Sequence, residues 1–163
     1  MNLLDVNVLI YAFRKDSTRH EEYRSWLLEL INGDSAFGLS EQVLSGVIRV
    51  TTHPRVFRQP SKLEAAVGFA EGLRHHPACR LVNPSVDHWP VFVSLCKRAD
   101  VRGNLVGDAW LAALAIESGC TWITTDRDFA RFPRLKWKHP LDHDKVIENP
   151  GKVAKVALSP PSL

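Results

Sequence analysis

LLDVNVLIYAF (residues 3–13) sets a single acid, Asp5, into an otherwise apolar opening run. Apolar residues on both sides of the acid read as a short strand over residues 3–6, with VLIYAF leading into the first turn. A carboxylate at the edge of a hydrophobic run loses hydration and needs a reason to be there. Two later stretches repeat the arrangement. GNLVGDAWLAALA (residues 103–115) places Asp108 before a run that is apolar on nearly every side. ITTDRDF (residues 123–129) puts Asp126 and Asp128 directly after a β-rich run.

Between these stretches, helical and strand patterns alternate. Thr18 and Glu21 have capping-box spacing, and Tyr23, Trp26, Leu27, Leu30 and Ile31 then repeat at helical intervals until Asn32-Gly33. A strand is expected over residues 36–39, followed by a helix capped by Ser40. Its apolar face is Val43, Leu44, Val47 and Ile48, and it stops at His53-Pro54. Ser61 and Glu64 repeat the capping-box spacing ahead of Leu63, Ala66, Val67, Ala70 and Leu73. A brief strand over residues 80–82 and a helix through Val91, Leu95, Cys96 and Ala99 come next. The run over residues 108–117 predicts a buried helix opened by Asp108 and ended by Gly119. Strands over residues 121–125 and 135–137 complete the series. Strands alternating with helices specify an α/β fold, with a parallel sheet between helices.

The composition agrees with one soluble domain: 163 residues, 45% apolar and 24% charged. No apolar run approaches the ~20 residues that span a bilayer, and the opening MNLLDV lacks a basic leader, so a cytoplasmic protein without membrane attachment is expected. Cys79, Cys96 and Cys120 form no CxxC pair and read as thiols in a reducing compartment. The net charge of +3 admits nucleic acid as a partner without requiring it. The segment over residues 142–163 changes character, with Asn149-Pro150-Gly151 and a closing SPPSL. It is expected to be a flexible tail to a domain over residues 1–141, although VAKVAL (residues 153–158) has the pattern of an edge strand or a partner-binding segment.

Ligands bind α/β sheets in the crevice beyond the carboxyl ends of the strands. Asp5 and Asp126 follow predicted strands, and Asp108 opens a buried helix, so all three are expected to meet there. Singly, each has a structural use: Asp108 as an N-cap, Asp126 as a turn residue, Asp128 as the cap of a short helix over residues 129–132. Jointly they repel unless a cation neutralises them, and oxygen ligands without His or Cys suit Mg²⁺ or Mn²⁺. His75-His76 fits a helix C-terminus better than a metal site, His139 and His143 lack metal spacing, and the five tryptophans mostly fall on apolar faces.

LLDVNVLIYAF, RGNLVGDAWLAALAIESG and TWITTDRDFARF resemble the motifs of PIN-domain ribonucleases, and more narrowly those of VapC toxins from bacterial toxin–antitoxin pairs. SEQVLSGVIRVTTHPRVF is similar to a subgroup of these toxins. The resemblance covers residues 1–141 and implies a three-layer PIN-like fold with a central, mostly parallel sheet flanked by helices. It also implies a Mg²⁺-dependent endoribonuclease, restrained by a VapB-like antitoxin and forming a homodimer within a larger complex. Carried over by motif position, Asp5 and Asp108 are the principal metal ligands and Asp126 a further acid of the site. Thr125 orients a ligand or water, and Asn7 steadies the first loop. Arg127, Arg131 and Arg49 are the basic residues expected to hold flanking phosphates of the RNA. Many PIN domains carry a Glu where this chain has Gly46, which leaves Glu41 and Asp128 as contenders for a fourth acid. A phosphatase or receiver domain also gathers acids at strand ends, but no strand-end Lys motif is present. A catalytically degenerate RNA-binding scaffold is the other alternative.

Overall fold

Asp5 ends a strand and starts a helix at the same residue, and the rest of the fold is arranged about that junction. The structure, a computed structural model, describes residues 1–142 and 146–149. Its strands are β1 Asn2–Leu4, β2 Phe37–Leu39, β3 Cys79–Leu81, β4 Thr121–Ile123, β5 Lys136–Lys138 and β6 Ile147–Glu148. They form one sheet in the order β3-β2-β1-β4-β5-β6, parallel throughout except for the antiparallel β5–β6 pair. The helices are α1 Val6–Phe13, α2 His20–Asn32, α3 Glu41–Thr51, α4 Leu63–Arg74, α5 His88–Arg98 and α6 Leu105–Glu117. From β1 the chain winds out to β2 and β3, then returns to the other side of β1 as β4. The direction of winding reverses between β1 and β4, which makes their carboxyl ends the switch point of the sheet.

The central strands are buried on both faces, as parallel strands under helices must be: Leu3, Leu4, Phe37, Leu39, Trp122 and Ile123 are fully buried. Ala109, Ala112, Ala113 and Ala115 of α6 are also fully buried, so this helix packs by close approach of small residues rather than by an amphipathic stripe. Ser40 caps α3 as expected, accepting from the Val43 amide at 3.2 Å. Gly119 sits past the end of α6 at φ 65°, a left-handed conformation that glycine adopts freely. His75 occupies the C-cap of α4 and pairs with Glu71 on the same helix.

Several local expectations are corrected. VLIYAF is helix α1 rather than an approach to a turn, and β1 stops at Leu4, because Asp5 supplies an N-cap one residue after the strand. The Thr18/Glu21 capping box does not form: α2 is entered through Arg19 in the left-handed region, whose guanidinium pairs with Glu22. Ser61 does not cap α4 either, since its hydroxyl accepts from the buried guanidinium of Arg14 at 2.9 Å. Helix α6 starts at Leu105, so Asp108 stands within its first turn and is not the N-cap.

The sheet also continues past residue 141. Strand β6 pairs with β5, and the buried Asn149 amide donates to the carbonyls of Phe129 and Phe132 at 3.1 and 2.8 Å. VAKVAL lies outside the described residues. No helix among the described residues is long and apolar enough to cross a membrane.

Candidate active site

A crevice of about 690 Å³ opens at the switch point, walled by α1, α3 and α6 and closed at one end by the segment after β4. Asp5, Asp108 and Asp126 all line it. Asp5 is the deepest, at 6% exposure. Its Oδ1 accepts the Val6 amide at 2.6 Å, and its Oδ2 accepts the Thr124 hydroxyl at 2.6 Å and the Asn7 amide at 2.9 Å. These bonds fix the carboxylate on two sides, yet burial pushes its pKa up to about 7, with smaller contributions from the like charges of Asp108 and Asp126. Asp108 is raised for the same leading reason, then by Asp126 and Asp128, with Arg131 opposing. The three acids therefore feel one another across the crevice. Among the described residues no three carboxylate, imidazole or thiol groups close on a single point, so the acids line an open trough rather than a finished cage.

Thr124 organises this end of the site. It is fully buried, and its Oγ1 bonds Asp5, the Asn7 amide at 3.1 Å and the Asp126 backbone amide at 3.0 Å. Asn7 completes the ring by accepting from the Thr125 backbone amide at 3.3 Å. The residue that orients the acids is thus Thr124, and the expectation for the Thr125 side chain is corrected. The chain bends at Thr125, and the Thr124 hydroxyl accepts the Asp126 amide across that bend. Thr125 and Arg127 line a separate cavity of about 340 Å³ with Trp137 and His139. Arg127 is therefore not a wall of the crevice.

The remaining candidates also separate. Glu41 is turned outward and ion-paired with Arg74 at 2.8 Å, away from the crevice. Asp128 is exposed and paired with Arg131 at 2.8 Å, and it reaches the site only through its charge on Asp108. Gly46 lines the crevice, and a Cβ placed there would stand 2.9 Å from Cγ2 of Val6. Helix α3 packs so closely on the first turn of α1 at this point that a side chain would force the stiff, β-branched Val6 aside. Beside Gly46, the α3 wall presents Gln42, Ser45 and Arg49.

The sequence pattern of the PIN domain family matches residues 3–135. The chain is 45% identical over 142 residues to ribonuclease VapC43 of Mycobacterium tuberculosis, covering 87% of this chain and 97% of that protein. The chain belongs to the PIN-domain family and, within it, to the VapC ribonucleases. The fold is also that of VapBC2 from Rickettsia felis, solved bound to a promoter DNA fragment, with a TM-score of 0.64, 20% identity, and coverage of 85% of this chain and 97% of that one. VapC20 of M. tuberculosis, described as a sarcin–ricin loop cleaving toxin, has a TM-score of 0.61 and 19% identity, covering 80% of this chain and 93% of that one.

Proposed function

We propose that the crevice is the centre of a Mg²⁺-dependent endoribonuclease, and that the protein is the cytoplasmic toxin of a VapBC-type pair. The observation that carries this reading is Asp5: a buried carboxylate at the switch point of the sheet, facing two further acids of its own sign. A fold keeps such a group when a cation completes it. The donors are all oxygen, and the trough is open. Mg²⁺ fits both features, since it is held by one or two carboxylates while keeping several waters. Asp5 and Asp108 would hold the ion, with Asp126 as the third acid and Mn²⁺ as a possible substitute. When bound, the ion supplies charge neutralisation at the phosphodiester and a water made nucleophilic near neutral pH.

The chain's own residues do the rest. The Val6 amide holds Oδ1 of Asp5 while Thr124 and Asn7 hold Oδ2, so the carboxylate meets its partner without reorganising. Asp126 is tied to Thr124 through its backbone amide, and its Oδ1 accepts the Asp128 amide at 2.8 Å, so Oδ2 is the oxygen that would orient the attacking water and receive its proton. Hydrolysis forms the bond from the water oxygen to phosphorus and breaks the bond from phosphorus to the leaving oxygen, which takes up the proton given by the water.

A VapB-like antitoxin is the expected restraint, by likeness to relatives solved as VapBC pairs, with a homodimer of this chain inside the complex. The test is cleavage of RNA by the purified protein in Mg²⁺, in EDTA and with Asp108→Asn. Equal cleavage in EDTA would refute the metal-dependent reading. Growth arrest on expression, relieved by a neighbouring antitoxin gene, tests the toxin role. Gly46 in place of an acid is the one observation favouring a degenerate RNA-binding domain, whose signature would be metal-independent binding without cleavage.

A further inference from the structure

The crevice is divided by charge. Its acids lie at the β1–α1 junction, on α6 and in the segment after β4, whereas none of the α3 residues lining the opposite wall is acidic, Glu41 being turned outward to Arg74. That wall is a single stripe: Gln42, Ser45, Gly46 and Arg49 recur at i, i+3, i+4 and i+7, spanning about 10.5 Å of helix axis. Arg49 is, among the described residues, the only Lys or Arg lining the crevice. Among the described residues its guanidinium makes no hydrogen bond or ion pair, unlike Arg74 and Arg131, which are held by Glu41 and Asp128. The Gln42 and Asn104 side-chain amides also face the crevice without a partner among the described residues. Gly46, in the middle of the stripe, is pressed against Val6, the residue after Asp5. The stripe therefore stands at a fixed, short distance from the deepest acid, with no side chain raised between them.

We propose that α3 is the track for the RNA backbone, with the Arg49 guanidinium binding a phosphate that adjoins the scissile one. This rests on the ribonuclease reading above and adds the anchor that holds the substrate. A guanidinium matches phosphate in a bidentate fork, which fixes register as well as charge. The bare surface at Gly46 lets the sugar–phosphate chain lie flat against the helix, and the amides of Gln42 and Asn104 face it from the two walls. The crevice of about 690 Å³ is walled by α1, α3 and α6, and the track runs along its α3 wall. The RNA is held there by its backbone, and with Gly46 in the middle of the stripe α3 sets no carboxylate against it.

The experiment compares wild type with Arg49→Gln, Arg49→Lys and Arg127→Gln. Affinity for a labelled single-stranded RNA is measured in EDTA across a KCl series, and KM and kcat are measured in Mg²⁺. Losing one phosphate contact should flatten the slope of log affinity against log salt by about 0.7. Arg49→Gln should do so, weakening binding roughly tenfold and acting on KM more than on kcat. Arg49→Lys should keep the slope with weaker binding, because an ammonium retains the charge and loses the fork. Arg127→Gln should match wild type. The inference is overturned if Arg49→Gln leaves slope and KM unchanged, or if the flattening belongs to Arg127→Gln. Wild-type protein that neither binds nor cleaves RNA removes the ribonuclease reading and this inference together, whereas normal cleavage by Arg49→Gln removes this inference alone.

Discussion

Replacing Asp5 by Asn should make the protein more stable at alkaline pH while destroying its activity. The folded carboxyl has its pKa raised from 3.8 to about 7. Between those two values the folded chain binds more protons than the unfolded chain, so stability falls as pH rises through the window and levels off above pH 7. At 1.36 kcal/mol per pH unit, the ionised group weakens the fold by about 4 kcal/mol at pH 8 and about 1.5 kcal/mol at pH 5. Asn keeps the cap on Val6, but its amide nitrogen cannot accept from Thr124 and Asn7, a loss of about 2 kcal/mol. The net gain at pH 8 is about 2 kcal/mol, or about 4–8 °C in Tm for a chain of this size, and it vanishes near pH 5. Thermal melts of both proteins in EDTA at the two pH values read this directly, and comparing the pair cancels the titrating groups that do not interact with Asp5. A Tm difference that is the same at both pH values would show that Asp5 is not held at a raised pKa.

Asp108→Asn, purified and folded by circular dichroism, should cut RNA at least about 100-fold more slowly in Mg²⁺, the scale of losing one electrostatic group at a catalytic centre. Thr124→Val should lower stability by about 2 kcal/mol and reduce kcat, whereas Thr125→Val, whose side chain lines the other cavity, should change kcat by less than about twofold. Gly46→Ala should destabilise by about 1–3 kcal/mol in urea denaturation, by forcing Val6 aside. A chain ending at residue 141 should melt at a lower temperature and cleave more slowly than the full chain. It would lack Asn149, which holds the carbonyls of Phe129 and Phe132 just beyond Asp126, and the β6 cover over the edge of β5.

The sheet and its helices were legible because apolar runs and helical periodicity are written plainly in the chain, from Leu3 and Leu4 to the alanines of α6. What escaped was decided by tertiary partners. Thr18 and Ser61 stand at capping-box spacing, but Arg19 turns left-handed to pair with Glu22, and Ser61 is claimed by Arg14 from 47 residues away. The three acids could be gathered by topology alone. Thr124 was missed by one position, because the bend at Thr125 that brings the Thr124 hydroxyl to both Asp5 and the Asp126 amide is set by tertiary contacts. Arg49 and Arg127 look equivalent as sequence, and only the fold sends one into the crevice and the other into a separate cavity. The role of Gly46 depends on how closely two helices approach, which no local pattern records.

The hydrogen bond between Thr124 and Asp5 joins residues 119 positions apart, and β1 pairs with β4 across nearly the same span. This is among the most non-local closures the fold makes, and non-local pairings come late because their entropy must be met before their contacts contribute. The same closure brings Asp126 to Asp5. In a half-folded chain the site is therefore incomplete: until β4 docks beside β1, Asp126 and Thr124 are not held beside Asp5.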